Sequence, residues 1–72
     1  MTQEEKTMEL AGLFEVDTLA LKPETALDTL NWDSMTRVAL IGLVKELCGK
    51  TLTVDVLRGL KTVGDVLAAM DA

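Results

Sequence analysis

Apolar residues recur at helical spacing in three stretches of the chain, and polar turn signals separate them. Met8, Leu10, Ala11, Leu13 and Phe14 form the first stripe. Thr2-Gln3-Glu4-Glu5 precedes it and matches a capping box, so helix 1 is predicted to open there and to end between Phe14 and Val16. The second stripe is Met35, Val38, Leu40, Ile41, Val44 and Leu47. It predicts a largely apolar, central helix from Ser34 to Cys48, stopped by Gly49 and with Lys45 and Lys50 near its negative end. The third is Val63, Val66, Leu67 and Met70, opened by a second capping box with Thr62 as cap and Asp65 three residues on.

The intervening segments are less regular. Glu15 to Asp33 contains Lys22-Pro23, which breaks a helix, so a long loop is predicted. It carries Val16, Leu19, Leu21, Leu27, Leu30 and Trp32, too apolar a set for a free linker. The loop is expected to be ordered across the core, with a helical turn around Glu24 to Leu27. Leu52, Val54 and Val56 alternate with Thr51, Thr53 and Asp55 as in a strand, but no other segment offers a partner. One or two helical turns over Val54 to Arg58, closed by Gly59, are predicted instead. The sum is an all-α fold: a small four-helix bundle in a single domain spanning residues 1–72, with three main helices, one short helix and a long ordered loop between helices 1 and 2.

Composition narrows the function. An apolar share of 49% with only five Gly and one Pro excludes a disordered tail. Twelve acidic and seven basic residues leave a net charge of −5, which repels a phosphate backbone and argues against nucleic acid. With no His, mechanisms that need an imidazole base or ligand are excluded; a serine hydrolase also lacks its G-x-S-x-G. The single Cys48 forms neither an internal disulfide nor a zinc site and reads as a small hydrophobe. Met1 to Glu9 is polar and acidic, unlike a secretory leader, and the longest apolar run, Val38 to Val44, is too short to span a bilayer. A cytoplasmic location, no membrane insertion and a monomer are expected.

Asp33-Ser34-Met35 is the chemically suggestive element. Ser34 is the only serine, set at the start of the central helix. Unpaired N–H groups and the positive end of the helix dipole favour an attached phosphate there. A plain N-cap is the alternative use of this hydroxyl.

The order of these elements resembles the acyl carrier protein family over nearly the whole chain. Three segments carry the resemblance: Pro23-Glu24-Thr25-Ala26-Leu27-Asp28-Thr29-Leu30 before the serine, Trp32-Asp33-Ser34-Met35 near mid-chain, and Lys61-Thr62-Val63-Gly64-Asp65 before the last helix. The resemblance implies a carrier that is not an enzyme, with 4′-phosphopantetheine joined to Ser34 and an acyl or aminoacyl group held on it as a thioester. It implies a phosphopantetheinyl transferase, acyl or aminoacyl ligases and acyltransferases as partners. Asp33 is what the transferase expects beside its target. Met35 has a mixed role, between core and the rim of the pantetheine exit. Trp32, Thr36, Arg37, Ala39 and Val56 are the expected partner surface, with Trp32 also a packing anchor. The competing reading is a small helical interaction module without a prosthetic group.

The chain departs from the fatty-acid carriers of this family in its charges. Their helix after the serine usually bears an acidic stripe; here the matching positions read Thr36, Ala39 and Lys45, with Arg37 beside them, and only Glu46 is acidic. Val54, Val56 and Arg58 stand where acids are usual on the short helix. A specialised carrier is expected, in surface polysaccharide or lipid modification or in secondary metabolism. Gly42 replaces a larger residue, leaving either a groove for an acyl chain or room for close helix packing.

Overall fold

The computed structural model describes residues 2–71. Four helices account for most of them: α1 (Gln3–Phe14), α2 (Ser34–Cys48), α3 (Val54–Gly59) and α4 (Val63–Asp71). No strand is formed among the described residues; a single antiparallel bridge joins Ala26 and Thr62. The fold is a small all-α bundle of three longer helices and one short one, as expected.

α1 opens as its sequence dictates. The Thr2 hydroxyl accepts from the Glu5 N–H, and the Glu5 carboxylate accepts from the Thr2 N–H. Its buried stripe is Lys6, Leu10, Ala11 and Phe14, at i, i+4, i+5 and i+8. Met8, expected in that stripe, faces solvent. Lys6 takes its place by laying an aliphatic stem over the core, while its ammonium pairs with Asp71 at the end of α4. The helix stops at Glu15 in a left-handed conformation (φ 58°), and the Val16 N–H reaches back to the Ala11 carbonyl at 3.0 Å.

α2 buries Thr36, Leu40 and Val44, and rests Ile41, Leu43, Leu47 and Cys48 against the core. Met35 (81% exposed) and Val38 (67%) point outward, so the apolar stripe facing the core is narrower than the residue types imply. A 15-residue helix in so small a domain has one face with neighbours; the remaining apolar positions meet water. Gly49 ends the helix at φ 68°, as expected of a left-handed cap.

The long loop is ordered, and backbone pairing explains why. The Leu27 N–H donates to the Lys61 carbonyl (2.8 Å), and the N–H groups of Val63 and Gly64 donate to the carbonyls of Thr25 and Pro23 (2.9 Å each). Pro23 and Glu24 form a turn closed by the Thr25 N–H on the Lys22 carbonyl (2.9 Å), and the chain then pairs with residues 61–64 around the Ala26–Thr62 bridge. The expected helical turn over Glu24 to Leu27 is displaced: its backbone is committed to this pairing, and short 3₁₀ turns form at Thr18–Ala20 and Leu27–Thr29 instead. Leu21 and Leu27 are buried and Leu30 and Trp32 half-buried, but Leu19 is 85% exposed and does not anchor the loop.

α3 forms where the alternating pattern suggested a strand, with the Thr53 hydroxyl accepting from the Val56 N–H. It includes Gly59, which was expected to close it, and Leu60 is its C-cap. The capping box of α4 is complete: Asp65 accepts from the Thr62 N–H and donates its own N–H to the Thr62 hydroxyl. α4 buries Val63, Val66, Leu67 and Met70, all four as expected. Gly64 is needed here for space, because a Cβ would lie 3.0 Å from the Pro23 carbonyl oxygen. Gly42 is different. A Cβ there would meet no atom within 4 Å, so neither close packing nor an enclosed groove explains it.

Candidate functional site

The N-terminus of α2 is built by a reciprocal cap. Asp33 sits in extended conformation, and its carboxylate accepts from the Thr36 N–H at 2.9 Å. The Thr36 hydroxyl in turn accepts from the Asp33 N–H at 3.1 Å. That hydroxyl also lies within donor reach of the Asn31 carbonyl and the Asp33 carboxylate. Threonine thus does the work that Glu or Gln does in the usual capping box. The hydroxyl of Thr36 and then its backbone N–H hold the Asp33 carboxyl below the ordinary carboxylate range, so Asp33 is ionised at neutral pH.

This arrangement decides the status of Ser34. The cap is Asp33, so the serine hydroxyl is not used to hold the helix. Ser34 is the first residue of α2, exposed, with the helix dipole behind it. The Thr36 and Arg37 N–H groups are taken by Asp33, the latter by its carbonyl at 3.0 Å. The Met35 N–H also approaches the Asp33 carboxylate, and that of Ser34, at the first position, has no acceptor within the helix. A phosphate on the Ser34 Oγ fits this site: the hydroxyl faces solvent, and the end of the helix favours negative charge.

The neighbouring residues divide into support and surface. Trp32 is half-buried and packs its ring against Phe14, with centroids 6.1 Å apart and planes inclined at 52°. The Arg37 guanidinium lies 5.3 Å from the Trp32 ring centroid, a cation–π distance. Trp32 therefore ties the segment before the serine to α1 and holds Arg37 in place. Thr36, expected at the partner surface, is only 6% exposed, because its side chain is committed to the cap. Met35, expected to be shared between core and rim, is fully outward. With Leu13, Asn31, Asp33, Thr36 and Ala39 it borders a shallow groove of about 240 Å³ beside Ser34. Arg37, Ala39 and Val56 are exposed.

Two features were not read from sequence. The pairing of Asp33 with Thr36 was available in the D-x-x-T spacing, but threonine is an unusual third residue of a capping box. Arg58 comes to share a groove with Arg37, together with Val54, Leu57 and Leu60, a closeness that arises from where α3 lies in the fold. No helix is long and apolar enough to cross a membrane, and no group of residues suited to a metal occurs among the described residues.

The chain matches the family model described as the phosphopantetheine attachment site over residues 7–70, from the second turn of α1 to the last turn of α4. No curated protein and no solved structure matches it. The match spans most of the chain and agrees with the helical bundle, and the chain belongs to the phosphopantetheine-attachment family of carrier proteins.

Proposed function

We propose that Ser34 is the residue to which 4′-phosphopantetheine is joined, and that the chain acts as one carrier domain of a specialised pathway. Membership of the family makes the protein a non-catalytic carrier of acyl groups on covalent phosphopantetheine. It also makes phosphopantetheinyl transferases and acyl-processing enzymes its general partners. The observation that supports Ser34 is the division of labour at α2: Asp33 and Thr36 hold the helix end between them, and the chain's only serine is left exposed beside them.

When bound, the group supplies a thiol that holds an acyl chain as a thioester. The protein's share of the chemistry is small. Ser34 provides the oxygen to be esterified. Asp33 fixes the helix start, and Trp32, anchored on Phe14, fixes the approach of the loop. Met35 and Val38 leave an apolar rim next to the attachment point.

The charge of α2 supports a specialised pathway, in surface polysaccharide or lipid modification or in secondary metabolism. Arg37, Ala39 and Lys45 are all exposed on this helix, with Glu46 its one acid. A basic patch on a fatty-acid synthase enzyme finds few partners there. An aminoacyl cargo is compatible with the same reading.

The test is intact mass after incubation with coenzyme A and a broad-specificity transferase. One phosphopantetheine is expected on the wild type and none on Ser34→Ala. A gain of mass on Ser34→Ala would assign attachment to another residue.

A further inference from the structure

We propose that the groove between α2 and α3 binds the carboxylate of the carried acyl group, so that the cargo is a short acyl chain ending in an acid. The inference rests on Ser34 as the attachment residue. The chain has only two arginines, Arg37 and Arg58, and both line this one groove of about 410 Å³. Val54, Leu57 and Leu60 complete it, and Leu57 and Leu60 are buried, which makes the floor apolar. The volume lies in the range of small-molecule sites.

Charge makes the placement informative. In a protein of net charge −5, guanidinium groups are expected to find carboxylates of the same chain. Among the described residues neither arginine forms an ion pair; the one salt bridge is that of Lys6 with Asp71. Arg37 is held at the groove by the Trp32 ring instead, so less side-chain freedom is lost when it takes an anion. A planar guanidinium matches a carboxylate through two parallel N–H bonds. An apolar floor with two such groups around it suits a few methylenes followed by a carboxylate better than a plain alkyl chain. A plain chain would leave both guanidinium groups without a partner.

Position connects the groove to the attachment point. Ser34 and Arg37 are three residues apart on α2, so their side chains share a face, with Cβ atoms roughly 5–6 Å apart. The phosphopantetheine arm is much longer than this separation, so it would fold back along α2 to bring its acyl end into the groove lined by Arg37 and Arg58. A carboxylate of a partner enzyme is the competing occupant. The concave shape and the buried floor favour the cargo, because the outward apolar side chains Met35 and Val38 stand outside the groove lining.

The experiment loads isotope-labelled protein from glutaryl-coenzyme A and, separately, from valeryl-coenzyme A, which has the same five-carbon chain without the acid. Intact mass establishes loading, and NMR reads the Arg37 and Arg58 Nε–H signals and the Leu57 methyls. The glutaryl form is expected to shift both arginines and the methyls relative to the unacylated pantetheine form. The valeryl form should shift neither arginine. Arg37→Gln and Arg58→Gln, at exposed positions, should each reduce the glutaryl shift to the valeryl level. Equal arginine shifts in the two acyl forms, or a shift of Arg37 alone that is already complete in the unacylated form, would overturn the proposal. The second result would mean that Arg37 pairs with the phosphate. If mass shows no loading, the attachment reading fails by itself. The groove is then decided by titrating the unmodified protein with the N-acetylcysteamine thioesters of glutarate and valerate. Saturable shifts at both arginines with the acid alone support the site, and their absence removes it.

Discussion

Asp33 and Thr36 each accept the other's backbone N–H, and between them they close the first turn of α2. The serine that lies between them in sequence takes no part. Structural and chemical duties at this helix end are thus assigned to different residues, which makes them separable by mutation.

Thr36→Val keeps the shape of the side chain and removes its hydroxyl. The Asp33 N–H then loses its acceptor in a half-buried setting, and the cost is expected to be about 1–2 kcal/mol. For a domain of this size that is a fall in Tm of roughly 4–16 °C. Ser34→Ala is expected to stay within about 0.5 kcal/mol of wild type, as for an exposed residue free of special roles. Thermal unfolding of the two variants checks both. A Ser34→Ala loss as large as that of Thr36→Val would mean that the serine carries the cap.

Three capping carboxylates contribute to the acid limb of stability. Glu5 is held low by the Thr2 N–H and hydroxyl, Asp33 by the Thr36 hydroxyl and N–H, and Asp65 by the N–H groups of Lys61 and Thr62. Each has a lower pKa folded than unfolded, so the unfolded chain binds more protons as the pH falls. The stabilisation is therefore complete above the unfolded value and is lost as pH drops through the folded one. With no histidine, stability should be level between about pH 5 and 8 and decline below about pH 4. Chemical unfolding across this range measures it, and Asp33→Asn together with Asp65→Asn should flatten the acid limb. An unchanged limb in that double variant would assign the loss to other groups.

Two of the four glycines in helices, Gly42 and Gly64, respond in opposite directions. Gly42→Ala places a methyl in open space on α2 and removes a glycine from a helix interior, so a gain of about 0.5–1 kcal/mol is expected. Gly64→Ala presses a Cβ to 3.0 Å from the Pro23 carbonyl and strains the pairing that holds the loop, with an expected loss of about 1–3 kcal/mol. Denaturant midpoints of the two variants should move apart. A loss at Gly42→Ala would reveal a contact that the isolated chain does not show.

Local rules carried much of the fold. Caps at Thr2 and Thr62 and the glycine stop at Gly49 depend on neighbours within a few residues, and all three were legible. The stop of α1 fell within the expected Phe14 to Val16, but its geometry was not legible: Glu15 is left-handed without being glycine, a conformation that local preference disfavours. The loop turns were misplaced because the pairing of residues 23–27 with 61–64 joins segments far apart in sequence. At the site, the exposed serine was legible from its position before an apolar stripe. The burial of Thr36 and the groove shared by Arg37 and Arg58 were not, since the first depends on an uncommon capping partner and the second on where α3 lies in the fold.

The charge of α2 predicts whom the carrier will not serve. Rim charges govern association rate and discrimination more than total affinity, and like-charge contacts penalise docking. A basic synthase surface approaching this helix meets Arg37 and Lys45, with a neutral Ala39 between them and only Glu46 in its favour. The pantetheine-loaded protein is therefore expected to be a poor substrate for fatty-acid elongation enzymes. The defect should narrow as salt screens the repulsion. Replacing Arg37, Ala39 and Lys45 together by Glu should raise the elongation rate. Thr36 is left alone, because its side chain belongs to the helix cap and its loss would confound charge with folding. A side-by-side elongation assay against a standard fatty-acid carrier, at low and moderate salt, makes the comparison. Equal rates for the two unaltered carriers would show that the partner surface is not read through these charges.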